Sequence, residues 1–304
     1  MSRDVGFVGL GLMGSAIASR LLAAHPLTVW NRSGAARTRL ARQGADVAAT
    51  AAEVFDLCRT VFVMVSDENA VDEILLDVDV RGTTLVQMST VPPAYSAALA
   101  QRVQSAGGRY VEAPVSGSRQ PALDGRLIGM LAGPAAALDD VEALLAPACA
   151  KIVRCGEPPR AMQMKLAVNT FLITVVTGLA ESFHFAEEHG LDRRLLEEIL
   201  NAGPMASFVS RAKAAALVSG DISPQAAIPD VLKNARLVVE SAYDRAVAVP
   251  LMAECARLYD EADELGRGAD DMAAVIHAHR ARTALLRAHP DALKSGHDAL
   301  EELT

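Results

Sequence analysis

Cysteine is sparse and unpaired in pattern. The four cysteines, at 58, 149, 155 and 255, make no CxxC spacing, so the expectation is free thiols in a reducing cytoplasm rather than a disulfide framework. The seven histidines show no ligand spacing either. His277 and His279 stand two apart on a predicted helix and face different ways, which predicts no metal site. No basic block occurs and the net charge is −8, which argues against nucleic acid as the main partner. The longest apolar run, Leu166–Ala180, is broken by Asn169, three threonines and Gly178. It falls short of the ~20 apolar residues a bilayer needs, so it predicts a buried helix and no membrane partner. The start, MSRDVGF, enters a strand at once and leaves no room for a signal peptide; a cytoplasmic location is the expectation. No internal repeat is visible.

What is present is a hydrophobic chain of 304 residues, 51% apolar and 22% charged, able to bury a large core and long enough for two domains. Its first residues carry the strongest signal. An apolar strand, Val5–Val8, runs into Gly9-Leu10-Gly11-Leu12-Met13-Gly14 and then into a helix expected over Ser15–Ala24. A second strand follows at Leu27–Trp30. Strand, GxGxxG, helix and strand in that order predict a dinucleotide site. Gly9 makes the tight turn, Gly11 admits backbone to a pyrophosphate, and Gly14 packs the helix on its strand. Free N–H groups at the helix start face the phosphates.

Further strands are predicted at Thr60–Val65, Thr84–Gln87 and Arg109–Ala113, alternating with helices. That alternation predicts a parallel sheet with right-handed crossovers. Leu127–Ala132 and Lys151–Arg154 read as strands around a helix at Ala135–Leu145. From about Met162 strands give way to long helical segments: Met162–His189, Arg193–Asn201, Val209–Ser219, Val231–Ala246, Pro250–Glu264 and Met272–His279. The fold class predicted is an α/β domain with a parallel sheet over residues 1–161, then an all-helical domain over 162–304, joined by a long helix at about 162–189. The tail after Pro290 reads as a weak or frayed helix. A substrate pocket is expected in the cleft where the domains meet.

The residue after the second strand selects the cofactor, since an acid there bonds the ribose hydroxyl of NAD and repels a 2′-phosphate. Asn31-Arg32-Ser33 holds no acid. Arg32 suits a 2′-phosphate, with Asn31 and Ser33 as polar neighbours, so NADPH is expected; a solvated loop arginine is the alternative. Two later segments carry the chemistry. Ser116, Gly117 and Ser118, just past a strand, present hydroxyl and N–H groups suited to a carboxylate. Lys165 and Asn169 lie four apart and share one helix face. Taken alone, such a lysine ordinarily snorkels or forms an ion pair. Buried with a lowered pKa, it could protonate a developing alkoxide.

The GFVGLGLMG start, Met64-Val65-Ser66-Asp67, Met88-Ser89-Thr90-Val91-Pro92, Glu112-Ala113-Pro114-Val115-Ser116-Gly117-Ser118, the Met164–Asn169 segment and Val231-Leu232-Lys233-Asn234 occur in one order along nearly the whole chain. In these motifs the chain resembles the β-hydroxyacid dehydrogenase (3-hydroxyisobutyrate dehydrogenase-related) family. The resemblance implies a Rossmann domain, a long interdomain helix, a helical C-terminal domain, and homodimers or homotetramers built through the helical domains. It implies that Lys165 is the general acid, that Ser116, Gly117 and Asn169 hold the substrate, and that Met64, Val65, Ser66 and Thr90 line the cofactor. Lys233 matches a lysine near the nicotinamide. By the residues themselves, Thr90 also suits a turn cap before Pro92 and Lys233 a solvated surface position.

Within the family, Val115–Leu127 looks most like the NADPH-using glyoxylate/succinic semialdehyde reductase branch. Asn234 departs from the usual aspartate, and the loop at Gly203–Val209 matches loosely. The resemblance therefore implies an NADPH-dependent oxidoreductase that interconverts a small aldehyde or keto acid and its hydroxy acid. Imine reductases share the architecture but usually replace the family lysine, so Lys165 argues against that alternative. The other alternative is an NADP-binding protein without turnover, for which the Lys165–Asn169 pair would be superfluous.

Overall fold

Strands of four apolar residues flanked by helices can bury both faces, and here they do. The computed structural model describes residues 4–289. Its described residues form one sheet from β1 (Val5–Val8), β2 (Leu27–Trp30), β3 (Asp46–Val47), β4 (Thr60–Val63), β5 (Thr84–Gln87), β6 (Arg109–Glu112), β7 (Val115–Ser116), β8 (Leu127–Ala132) and β9 (Cys149–Gly156). The order is β3-β2-β1-β4-β5-β6-β8-β7, with β9 paired to β8. The pairs from β3 through β6 are all parallel. The order reverses between β1 and β4, the switch point where open α/β sheets bind ligands at the carboxyl ends of their strands.

The first unit's helices are α1 (Leu12–Leu22), α2 (Gly34–Ala41), α3 (Ala51–Leu57), α4 (Glu68–Leu75), α5 (Pro93–Ser105), α6 (Arg119–Leu123) and α7 (Ala135–Leu145). Neighbouring strand residues point to opposite faces. Phe7, Val29, Phe62, Val86 and Val111 join Ile17, Leu21 and Leu138 in one core cluster. Val8, Val61, Val63 and Leu85 join Val54, Phe55 and Leu99 in the other. Helices thus cover the sheet on both sides, as parallel sheets require.

The sheet is not parallel throughout. β8 runs antiparallel to β6 and to β7. A parallel return needs a crossover of about a dozen residues or more, and only Gly117–Arg126, with the single short helix α6, separates β7 from β8. The two-residue strands β3 and β7 were not foreseen in the sequence, and α1 starts three residues earlier than expected, directly after Gly11.

The chain divides into Met1–Val168 and Asn169–Thr304, so the division falls inside α8 (Arg160–Glu188) rather than before it. The physical reason is packing: Val168 lies against the small cluster that Ala161 forms with Met130 and Ala132 of β8. By length and composition alone α8 could cross a membrane, yet Leu166, Ile173, Val176, Ala180 and Phe183 are buried in protein.

The second unit continues with α9 (Arg193–Ala202), α10 (Phe208–Ser219), α11 (Ile228–Tyr243), α12 (Pro250–Ala262) and α13 (Ile276–Ala288). The helix expected at Met272–His279 is a 3₁₀ turn, Met272–Val275, that leads into α13. A buried ion pair anchors that turn. Lys213 Nζ lies 2.7 and 2.8 Å from the Asp271 carboxylate oxygens, which also accept the N–H groups of Gln225, Ala226 and Ala273. The tail after Pro290 lies outside the described residues.

Candidate functional site

The glycine-rich turn separates three jobs that look alike in sequence. Gly9 has φ +95°, and a Cβ there would sit 2.1 Å from the Met64 carbonyl oxygen and 2.9 Å from Val65 Cγ1. A Cβ on Gly14 would sit 2.1 Å from the Gly9 carbonyl oxygen. These two glycines let β1, α1 and the exit of β4 close on one another. Gly11 is different: it caps α1 and a Cβ there would meet nothing within 4 Å. Its hydrogen faces open space at a helix N-terminus, a concavity suited to a phosphate. No acid stands in the first turn of α1 to oppose an anion there. Leu10 is buried beneath the turn, whereas Leu12 is exposed at the helix start and Met13 is half-buried.

Asn31, expected beside the cofactor, also has a structural task. Its Oδ1 accepts the Leu10 N–H at 2.8 Å, and its Nδ2 donates to Ser33 Oγ at 2.9 Å. The end of β2 is thereby tied to the glycine turn. Arg32 is exposed beside it. Arg39 Nη2 donates to Ser15 Oγ at 3.2 Å, which brings a second cation near the α1 N-terminus. At the next strand exits, the Val65 N–H donates to Ser89 Oγ at 2.8 Å. Ser66 is exposed just past β4, and Thr90 is half-buried past β5. The structure therefore groups Gly9, Leu10, Asn31, Met64 and Val65 at the carboxyl ends of β1, β2 and β4.

Ser116 lies on β7 opposite Ile128, half-buried. Gly117 has φ +130°, and a Cβ there would strike Leu127 Cδ2 at 2.6 Å. That backbone turns the Ser116–Ser118 segment, and only glycine fits. Lys165 is buried on α8, 9% exposed. Asn169, one turn further along the same helix, is 2% exposed, and its Nδ2 has no hydrogen-bond partner among the described residues. Lys233 is half-buried on α11 in the second unit, and the adjacent Asn234 carries a buried Oδ1 without a partner among the described residues. A buried amide without a partner is costly and commonly marks a ligand or water position. Among the described residues, no group of three or more His, Cys, Asp or Glu could hold a metal.

One acidic residue escaped the sequence reading as a functional candidate. Glu112 ends β6 and is fully buried. Burial pushes its carboxyl above the ordinary range, while the Ser96 hydroxyl and the N–H groups of Met162 and Ala161 pull it back. The available signal was an acid closing an apolar strand immediately before the Ser116 segment.

Residues 4–156 match the family described as the NAD binding domain of 6-phosphogluconate dehydrogenase. Residues 160–279 match that described as NAD-binding of NADP-dependent 3-hydroxyisobutyrate dehydrogenase. Fold, turn and matches together define an NAD(P)-binding chain of the dehydrogenase class. It belongs to the 3-hydroxyisobutyrate dehydrogenase-related (β-hydroxyacid dehydrogenase) family.

The cytokine-like nuclear factor N-PAC of Xenopus tropicalis is 33% identical over 284 residues, covering 91% of this chain and 53% of that protein. The chain spans about half the length of the N-PAC relatives it matches. Glyoxylate/succinic semialdehyde reductase 1 of Arabidopsis thaliana is 31% identical over 282 residues, covering 90% of this chain and 98% of the reductase. The solved 3-hydroxyisobutyrate dehydrogenase of Salmonella typhimurium shares the fold at a TM-score of 0.83 and 23% identity, over 90% of this chain and 99% of its own.

Proposed function

We propose that this chain reduces a small aldehyde or keto acid, of the glyoxylate or succinic semialdehyde type, to its hydroxy acid with NADPH. The observation that carries the reading is the burial of Lys165 on α8, one turn from an amide whose Nδ2 lacks a partner among the described residues. A buried lysine on that helix face is placed to act as a general acid toward a bound carbonyl. The open space at Gly11 and the acid-free first turn of α1 fit the pyrophosphate. Arg32, with no acid beside it, fits a 2′-phosphate. When bound, NADPH supplies the hydride.

The protein's own residues do the rest. Gly117 and Ser118 offer N–H groups and Ser116 a hydroxyl to the substrate carboxylate. Lys165 protonates the carbonyl oxygen as negative charge develops on it, a contribution of ~10²–10⁴ in rate. Asn169 offers its Nδ2 donor to the substrate. Met64, Val65, Ser66, Thr90 and Lys233 are proposed cofactor neighbours on the strength of the family resemblance.

A homodimer or homotetramer is part of the proposal. In the second unit Phe171, Phe185, Leu195, Ile199, Met205 and Phe208 are all more than half exposed, an apolar surface suited to a second copy. Sedimentation at several concentrations tests it, and a monomer throughout would refute it. A cytoplasmic location is proposed as well, supported by the free thiols of Cys149, Cys155 and Cys255; fractionation of cells tests it.

The deciding experiment is a panel of aldehyde acids, hydroxy acids and cyclic imines, each run with NADPH and NADH. Turnover of the aldehyde acids with NADPH is the expected result. Turnover of imines alone would move the reading to C=N reduction. Nucleotide binding with no turnover on any member would refute an enzymatic role.

A further inference from the structure

The buried carboxyl of Glu112 reaches across the first unit to a helix it does not belong to. Oε2 accepts the backbone N–H of Ala161 at 2.9 Å and of Met162 at 3.3 Å. Oε1 accepts the Ser96 hydroxyl, which lies 2.6 Å from the Tyr110 hydroxyl. Ala161 and Met162 are the second and third residues of α8. N–H groups at those positions have no partner inside their own helix. A side chain just before the helix ordinarily satisfies them. Here the acceptor comes from the end of β6, 49 and 50 residues away in sequence.

Such a cap does more than satisfy donors. It ties the start of α8 to the central sheet, fixing both its position along its axis and its roll about it. Lys165 follows Met162 by three residues, ~4.5 Å along the axis. Side chains end ~5–6 Å from a helix axis, so a roll of about 10° moves the end of a side chain by roughly 1 Å. A misplacement of about 1 Å can cost ~10²-fold in a positioned reaction.

We propose that Glu112 is a positioning residue, acting through the first turn of α8 to set where the Lys165 ammonium stands. The proposal rests on Lys165 being the proton donor. Three substitutions separate its parts. Glu112→Gln keeps the reach and one acceptor oxygen but removes the charge. Glu112→Asp keeps the charge but withdraws it by one methylene. Glu112→Ala removes both.

The test measures kcat, substrate KM, NADPH Kd and thermal stability on the full chain. Glu112→Asp is expected to lower kcat by about 10-fold or more while NADPH Kd stays within about 3-fold, and Glu112→Gln is expected to retain more turnover than Glu112→Asp. In a Lys165→Ala background, Glu112→Asp should cost nothing further, because the group it positions is gone.

Wild-type kcat in both Glu112→Asp and Glu112→Ala would overturn the proposal. So would full turnover in Glu112→Asp beside a loss in Glu112→Gln, which would assign the effect to charge. A parallel fall of kcat, cofactor affinity and stability, undiminished in the Lys165→Ala background, would leave Glu112 a merely structural residue. Should Glu112→Ala fail to fold, the Asp and Gln comparison still decides. Lys165→Ala alone distinguishes the two failures: turnover retained there refutes the proton donor, whereas turnover lost there but kept in the Glu112 variants refutes only the positioning.

Discussion

Adding one methyl group at each of two glycines should give opposite results. At Gly14 a Cβ would sit 2.1 Å from the Gly9 carbonyl oxygen, a backbone atom that no side-chain rotation can remove. Alanine is favoured over glycine within a helix by ~1 kcal/mol. Overpacking costs about 1–3 kcal/mol or more, and a backbone obstacle belongs at the high end. Gly14→Ala should therefore be net destabilising by about 1–2 kcal/mol, a fall of several degrees in Tm for a chain this size. At Gly11 the same methyl enters empty space, with φ −65° and ψ −164°, a conformation open to alanine. Its loss is confined to a poorer helix cap, at most about 1 kcal/mol. The methyl instead occupies the space a pyrophosphate requires, so NADPH affinity should fall by about 10-fold or more, about 1.4 kcal/mol. Thermal unfolding without nucleotide and a fluorescence titration of NADPH read the two effects separately. A Gly11→Ala variant that binds NADPH like wild type would refute the assignment of that space to the cofactor. A Gly14→Ala variant as stable as wild type would refute the close-packing argument.

Four further outcomes are expected. Lys165→Ala should lower kcat by ~10²–10⁴ and leave NADPH Kd nearly unchanged; stopped-flow turnover beside a binding titration checks it. Arg32→Ala should erode the preference for NADPH over NADH by about 10-fold or more, read as the ratio of kcat/KM values. Lys213→Met should destabilise the second unit by about 3 kcal/mol, because it strands the Asp271 carboxylate in the interior, and the paired Asp271→Asn change should recover part of that in a double-mutant cycle.

The last concerns acid. Burial raises the Glu187 carboxyl, and the guanidinium groups of Arg280 and Arg193 outweigh that, leaving it below its ordinary value of 4.5. A depressed folded pKa contributes stability above 4.5 that is lost as pH falls through the folded value. Glu187→Gln should flatten that part of a stability profile measured by denaturant titration.

What could be read in the sequence was what local chemistry decides. The β1 turn into α1 was legible because its three glycines act within six residues. The strand bounds at Leu27–Trp30 and Thr84–Gln87 were legible because apolar runs there meet turn residues at both ends. The pairing of β8 was hidden, since its direction follows from the shortness of the connection after Gly117 rather than from anything in Leu127–Ala132 itself. β3 and β7, at two residues each, carry no periodicity to detect.

Of the proposed site residues, Lys165 and Asn169 could be picked out as polar groups on an apolar helix. Glu112 did not, because its meaning lies in N–H donors 49 and 50 residues away. Asn31 was expected at the cofactor from its place after β2, and its tie to Leu10 spans 21 residues.

That tie has a consequence for anyone wishing to convert the chain to NADH. The natural route places an acid after β2, and Asn31→Asp is the change closest in shape. Aspartate would keep the acceptor for the Leu10 N–H and could accept from the Ser33 hydroxyl, but it would set a carboxylate oxygen against the Ser33 carbonyl to which Asn31 Nδ2 now donates at 3.4 Å, so the substitution that would repel a 2′-phosphate would also disturb the loop bearing Arg32. Selectivity and loop shape share one side chain here, and redesign must restore the second while changing the first.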